Sequence, residues 1–289
     1  MEIFIITLVG GLCTGVLYGL VGLGFMAIYN ASKVINFSQG ALAMMGGFTG
    51  YLLVFNGKLP AVLGIVLVAA IPMVCALGIG RFLAEPLVRR NVPPTTIMLA
   101  TLGGALILEG VIGLYTNFSW FKTSLVFGAR PVVWGMIRIS PQYAAILIAT
   151  AVLCISYWFL LNKTKMGLKI RAVGTGPYMA ALLGIKLTRM RMLAWCISAG
   201  ITGIAGFLIA PLMLSSALMG LPVVVNGFIA AIIGGFGKPM AAILGGIVLG
   251  LMIQFFTGYI SSGFGEVLVF IALILVLAFR PQGILGELE

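Results

Sequence analysis

The stretch Ile3-Phe-Ile-Ile-Thr-Leu-Val-Gly-Gly-Leu-Cys-Thr-Gly-Val-Leu-Tyr-Gly-Leu-Val-Gly-Leu-Gly-Phe-Met-Ala-Ile28 carries no charged residue. A run of about 18 or more apolar residues can cross the hydrocarbon core of a bilayer as a helix. Gly11, Gly15 and Gly19 recur at every fourth position of this run. That spacing places them on one helix face, where the missing side chains let a second helix approach closely. Gly46 with Gly50, and Gly246 with Gly250, repeat it. Further apolar runs follow at roughly 38–55, 60–80, 94–117, 141–161, 192–214, 222–236, 239–258 and 265–279. The run at 222–236 is short enough to be a re-entrant or broken helix. The reading is therefore an all-α, polytopic transmembrane bundle of eight or nine spans, with room for broken or re-entrant helices, forming a single domain over residues 1–289.

Composition agrees. Apolar residues make up 62% and charged residues 8%, with a mean hydropathy of +1.22; a soluble domain carries about a quarter charged residues. The net charge of +11 does not mark a nucleic-acid binder, because the basic residues punctuate the apolar runs instead of forming one face. There is no histidine and no aspartate, which removes His-based catalysis, His metal ligation and Asp acid–base pairs. Cys13, Cys75, Cys154 and Cys196 each sit inside an apolar run with no CxxC pair, so they carry no disulfide or metal expectation. The start, Met1-Glu-Ile-Phe4, has no basic n-region, and the first run is read as a retained span.

Lys and Arg set the orientation. The loop 81–90 holds Arg81, Arg89 and Arg90. The segment 163–191 holds Lys163, Lys165, Lys169, Arg171, Lys186, Arg189 and Arg191 with no acid, and Arg280 follows the last run. Placing these inside satisfies the positive-inside rule and brings Lys33 and Lys238 inside as well. Nine spans then put the N-terminus outside and the C-terminus in the cytoplasm. The loop 118–140 faces outward, with Trp120 and Trp134 suited to the interface, although it also keeps Lys122, Arg130 and Arg138. A faint internal echo links Ala43-Met-Met-Gly-Gly-Phe48 to Ala231-Ile-Ile-Gly-Gly-Phe236, behind Asn36 and Asn226 respectively. Repeats of this kind occur in transporters.

Four constellations bear on function. In Asn30-Ala-Ser-Lys-Val-Ile-Asn-Phe-Ser-Gln-Gly40, either Asn36, Ser38 and Gln39 line a pathway or bend, or the stretch is a cytoplasmic turn followed by a helix capped by Asn36 or Ser38. Glu109 lies within an apolar run and is either a functional carboxyl or a structural partner for a neighbouring helix. Gly234-Gly-Phe-Gly-Lys-Pro239 lacks the spacing and the hydroxyl of a phosphate-binding loop. It reads as a tight turn, and any ATP coupling must come from a partner. Within the basic segment 163–191, Gly174, Gly176 and Pro177 interrupt the chain, and Tyr178-Met-Ala-Ala-Leu-Leu-Gly-Ile185 reads as a short apolar helix. Such a helix either docks into a partner or lies on the membrane surface.

Three segments resemble one known family, the permease subunit of branched-chain amino acid ABC importers, the Liv-type or hydrophobic amino acid uptake class. They are Val34-Ile-Asn-Phe-Ser-Gln-Gly-Ala-Leu-Ala-Met-Met-Gly46, the stretch from Arg171-Ala to Met179-Ala-Ala-Leu-Leu-Gly-Ile185, and Asn226-Gly-Phe-Ile-Ala-Ala-Ile-Ile-Gly-Gly-Phe-Gly237 with its continuation to Arg280-Pro-Gln-Gly-Ile-Leu-Gly286. The resemblance implies a second homologous permease subunit, two cytoplasmic ATPase subunits that hold ATP and magnesium, and a periplasmic solute-binding protein. This chain itself would then hold no cofactor and no metal and bind no nucleic acid. The resemblance implies a multi-pass protein of the bacterial inner (plasma) membrane, in contact with membrane lipid. It also implies a coupling helix carrying Pro177, Met179, Ala180, Ala181, Gly184 and Ile185, and a substrate path near Asn36, Ser38, Gln39, Gly40, Glu109 and Asn226. Met179 stands where the family often has Glu, and the spacing from Ala181 to Gly184 is one residue shorter than usual. Gln39 stands where family members often have a histidine. The implied substrate is a branched-chain or other neutral amino acid; urea, short amides and aromatic compounds are also carried within the family.

The alternative is an autonomous secondary transporter or channel. The two readings part at Glu109. Uptake driven by an ion gradient is abolished by Glu109→Gln if this carboxyl is the coupling site, whereas ATP-driven uptake survives it; initial-rate transport assays on the variant decide between them.

Overall fold

The computed structural model describes residues 2–57, 59–120, 123, 132–134, 137–213, 215–259, 263, 265–280 and 282–285. Helix α1 is Glu2–Ser32. Helix α2, Gln39–Gly50, continues into a π-helical turn at Tyr51–Asn56. Helix α3, Ala61–Ile79, passes through a second π turn, Gly80–Ala84, into α4, Glu85–Arg89. There follow α5 (Pro94–Thr116), the strands β1 (Val132–Trp134) and β2 (Ile137–Ile139), α6 (Pro141–Lys163), α7 (Lys165–Thr175), α8 (Pro177–Leu182), α9 (Leu187–Ile209), a 3₁₀ turn at Ala217–Met219, α10 (Gly220–Gly234), α11 (Pro239–Tyr259) and α12 (Gly265–Phe279). The strands pair antiparallel, Val132 opposite Ile139. Apart from this small hairpin the described chain is helical, as expected.

Several helices begin where the chemistry asks. Pro94, Pro141, Pro177 and Pro239 occupy first positions, where the missing N–H costs nothing and φ is preset. Ser140 and Thr164 cap α6 and α7 by accepting from the N–H of Gln142 and Gly167. The stretch 234–239 is the tight turn expected: Gly235 and Gly237 take φ of 125° and 100°, values that favour glycine. The end of α10 is closed from a distance, with Ile284 and Leu285 donating to the carbonyls of Ile233 and Gly234. The closing motif thus caps a helix end.

Among the described residues, seven helices are long and apolar enough to cross a membrane: Phe4–Ser32, Leu63–Arg89, Pro94–Thr116, Pro141–Lys163, Leu187–Ile209, Ala217–Gly234 and Pro239–Tyr259. The expected count of eight or nine is not reached on this criterion. The runs at 38–55 and 265–279 form only 12 α-helical residues plus the π turn, and 15 residues, respectively. Two boundaries also differ. The fifth of these seven spans starts at Leu187, because Arg189 and Arg191 are absorbed into its first turns. Residues 81–89 are helix instead of loop, continuing α3. Of the loop 118–140, expected to face outward, Lys122 and Arg130 lie outside the described residues, as does Gly286 of the closing motif.

Helix α1 is the axis of the bundle, with Leu17, Leu20, Leu23, Phe25, Met26 and Ile28 all fully buried. Lipid tails are as apolar as leucine, so helices are held by close packing instead of water exclusion. The glycine stripe of α1 supplies it. A Cβ built on Gly15 would lie 2.6 Å from the Gly246 carbonyl oxygen and 2.9 Å from Ile247 Cα. One on Gly19 would lie 2.8 Å from Ile243 Cα. Gly246 and Gly250 of α11 meet the backbone of Gly15 and Gly11 in return. A second seam joins α2 to α9, Gly46 against Gly203 and Gly206 against Ala43. The echoed hexapeptides differ locally: Gly46 and Gly47 lie inside α2, whereas Gly234 ends α10.

Gly15→Val forces the α1–α11 seam apart and destabilises the protein by about 1–3 kcal/mol or more, the usual cost of overpacking. Gly103→Ala, where an added Cβ meets nothing within 4 Å, leaves stability unchanged or raises it slightly. Thermal unfolding of both purified variants in the same detergent checks the contrast.

Candidate functional site

Between α1 and α2 the chain turns through 33–38. Lys33 adopts φ 55°, and Asn36 then folds the backbone by accepting from both the N–H and the hydroxyl of Ser38, at 3.0 and 2.6 Å. This Asx-type turn satisfies donors that would otherwise be stranded at the start of α2. Asn36, Ser38 and Gln39 are all fully buried. The Phe37 N–H donates to Thr101 Oγ1 on α5 at 3.1 Å. Gln39 Nε2 donates to Ser198 Oγ on α9 at 2.5 Å, and Ser198 Oγ donates on to the Gly24 carbonyl of α1 at 2.7 Å.

Four elements, α1, α2, α5 and α9, therefore meet through uncharged polar groups. Gly24 makes room for them: a Cβ there would collide with the Gln39 amide nitrogen and lie 2.5 Å from Thr202 Oγ1. Asn36 Nδ2, Gln39 Oε1 and Thr202 Oγ1 have no hydrogen-bond partner among the described residues. A spare donor, a spare acceptor and a hydroxyl thus remain in one buried cluster. Beneath it lies an aromatic group in which Phe37 packs against Phe25 and Phe228, with ring centroids 6.1 and 5.5 Å apart. Phe228 in turn meets Phe236.

The remaining expected pathway residues separate. Gly40 presses against Gly220, so the starts of α2 and α10 abut. Glu109, half-buried on α5, places Oε1 where a Cβ of Gly220 would stand. Asn226 does not join this group. It lies on another flank of α10 and, with Tyr18, Val225 and Phe270, lines a largely apolar cavity of about 380 Å³ between α1, α10, α11 and α12.

The basic segment 163–191 divides as its residues suggest. Helix α7 buries Ile170 and Val173 and exposes Lys169 and Arg171, and Gly174 packs directly on the Asn30 carbonyl. Helix α8 buries only Ala180. Tyr178, Met179, Leu182 and Leu183 are 65–79% exposed, an apolar face uncovered among the described residues. Gly184 takes φ 76°. Its N–H donates to the Ala181 carbonyl, and the Ile185 N–H donates to that of Ala180, the Schellman arrangement that ends a helix. Gly184 is thus a turn-former, and Ala180, not Ala181, is the packing alanine.

Sequence reading did not single out Glu85. Its side chain is only 3% exposed. Its carboxylate accepts two hydrogen bonds from Arg191, at 2.7 and 2.9 Å, one from Thr188 at 2.6 Å and one from Arg89 at 3.1 Å. This clamp ties α4 to the first turns of α9, directly after α8. The available signal was one acid amid three arginines in 81–90, with the matching arginine about a hundred residues away. Ser198 and Thr202 were also passed over; their four-residue spacing inside an apolar run was the clue.

The sequence model of the family described as "Branched-chain amino acid transport system / permease component" matches residues 7–277. The chain is 29% identical over 286 residues to the probable branched-chain amino acid transport permease protein LivH of Methanocaldococcus jannaschii, covering 92% of this chain and 88% of that one. It is 26% identical to the high-affinity branched-chain amino acid transport system permease protein LivH of Escherichia coli K12, covering 99% and 96%. With the corresponding protein BraD of Pseudomonas aeruginosa it shares 27% identity, covering 98% and 95%.

The clamp gives an ordered prediction. Glu85→Ala leaves the Arg191 guanidinium, only 11% exposed, without its partner and costs about 3–5 kcal/mol. Arg89→Gln, on a side chain 59% exposed, costs less than about 1 kcal/mol. Thermal unfolding of the two variants checks the order.

Proposed function

Because the chain belongs to the family of permease components of branched-chain amino acid transport systems, we propose that it is the transmembrane subunit of an ABC importer in the bacterial inner membrane. It moves a small hydrophobic or zwitterionic solute inward, a branched-chain or other neutral amino acid in the first instance. The family match over residues 7–277 carries this reading, and the relatives' names supply the substrate class. The chain works beside a second homologous permease subunit and two cytoplasmic ATPase subunits that hold ATP and magnesium. A periplasmic solute-binding protein delivers the substrate. Helix α2, lengthened by its π turn, and α12 add the eighth and ninth crossings, and the C-terminus is cytoplasmic.

The bared face of α8 supports an ATPase seat over residues 177–186, because a short apolar helix exposed on a basic segment gains by docking. Pro177 and the Gly184 turn fix its two ends. Met179 presents its side chain outward, while Ala180 and Ile185 hold the helix to the bundle. Motion of α8 passes into α9 through the four-residue turn 183–186. Seven residues, or two turns, part Arg191 from Ser198, a rise of about 10 Å. A push on α8 therefore acts on the Ser198–Gln39 contact, and the Glu85 clamp carries α4 with it.

Asn36, Ser38, Gln39 and Gly40, with Ser198 and Thr202, form the neutral polar stretch of the path. An uncharged lining suits a zwitterion whose own charges need donors and acceptors but no fixed counter-charge. The position of Glu109 beside the start of α10 favours its structural role over gradient coupling. Asn226 serves the second cavity, on the flank toward α12.

Proteoliposomes holding the complete complex take up branched-chain amino acids only when ATP and binding protein are both supplied; uptake that persists without the ATPase subunits sinks the proposal. In the same vesicles, Gly184→Leu and Ala181→Trp leave membrane insertion intact and lower the solute moved per ATP hydrolysed about tenfold, the scale of an ordinary coupling free energy. An unchanged ratio in both variants removes residues 177–186 from the docking role.

A further inference from the structure

A second cavity, of about 290 Å³, opens at the basic end of the bundle between the end of α1, the end of α6, helix α7 and the start of α11. It is near the lower end of the range for small-ligand pockets, about 300–1,000 Å³. Its lining is divided. Tyr157 and Leu161 form an apolar floor, and Lys33, Asn162 and Arg171 form a polar rim. Arg171 donates to Asn162 Oδ1 at 3.3 Å, which holds the guanidinium at the mouth. The contact of Gly174 with the Asn30 carbonyl sets α7 directly on α1, so the rim is carried on packed helices. Lys163 stands close by with Nζ 5.8 Å from the Trp158 ring centroid, a pairing typical of the headgroup level of a bilayer. No carboxylate lies among the residues that line the cavity.

An apolar floor beneath a cationic rim matches a molecule with a hydrocarbon part and an anionic head. We propose that this cavity binds the phosphodiester headgroup of an anionic phospholipid of the cytoplasmic leaflet, with Lys33 and Arg171 on the phosphate and the first acyl methylenes over Tyr157 and Leu161. Basic pockets between helices on the cytoplasmic side are suited to such heads. The inference goes beyond the transport reading and needs from it only that this end of the bundle meets the cytoplasmic face. Its consequence reaches the docking segment. A bound lipid pins α7 to the leaflet, and α7 leads directly through Gly176 into α8.

Native mass spectrometry of the purified protein with phosphatidylglycerol, phosphatidylcholine or excess inorganic phosphate tests it, and its result does not depend on transport. Wild type retains phosphatidylglycerol in preference to phosphatidylcholine. The double variant Lys33→Asn, Arg171→Gln, in which Asn suits the left-handed backbone at position 33, loses about 25-fold of that retention, or about fivefold for each cation. The control Lys169→Gln, Lys186→Gln removes the same charge away from the cavity and keeps full retention. Equal retention of phosphatidylcholine, or an equal loss in the control, overturns the site. Displacement of phosphatidylglycerol by inorganic phosphate assigns the rim to a free anion and overturns the lipid. Should the double variant fail to fold, Lys33→Asn alone carries the test, with a loss of about fivefold expected.

Discussion

Everything in this bundle hangs on how closely α1 and α11 approach. Inside a bilayer there is no water to exclude between helices, so attraction comes from dispersion, and dispersion falls away within a fraction of an ångström. Glycine at 11, 15 and 19, meeting glycine at 246 and 250, lets backbone touch backbone. That contact fixes the axis on which α9 and α10 are hung. It also leaves α1 and α11 little freedom to slide, so any movement during transport falls to the elements around them.

Those elements are joined by a different chemistry. Where α2 and α9 meet α1, small glycine contacts alternate with hydrogen bonds donated by Gln39 and Ser198. A buried neutral hydrogen bond is worth only about 0.5–1.5 kcal/mol net, yet leaving a partner unmade costs more than that. Such a joint prefers a few discrete arrangements to a continuum. The ion clamp at Glu85 lies at the opposite extreme: paired and directional, it is held by Arg191 and ties α4 to the first turns of α9.

Much of this was legible beforehand because membrane helices announce themselves through length and through the spacing of glycine. The first glycine stripe, the tight turn at 234–239 and the buried polar turn at Asn36 follow from local patterns. The misjudged features are those in which distant residues decide. Glu85 looked like part of a charged loop, because nothing local reveals that Arg191 will reach it. The helix start at Leu187 was missed because charge was taken as the edge of a span. Asn226 and Asn36 share a motif-like context, yet the 100° step per residue of α10 turns Asn226 toward Tyr18 while Val224 faces Gly40. Helix α2 falls short of a span by length because a π turn divides its apolar run.

The π turn at Gly80–Ala84 sets the stage for the clamp in a way that can be described as an insertion. A π turn spends one residue more than an α turn, so everything after it is rotated by about 100° relative to an uninterrupted helix. Trp195 of α9 packs at Gly80, where the offset begins, and Arg191 of the same helix meets Glu85, after it. One straight neighbour is thereby addressed by two faces of α3–α4 that a regular helix would point in different directions. In lineage terms, a chain shortened by one residue within 80–84 would keep its span, its apolarity and its charge, and would lose the register that brings Glu85 to Arg191. Alignments that place a gap there separate two mechanical designs, not two spellings of one.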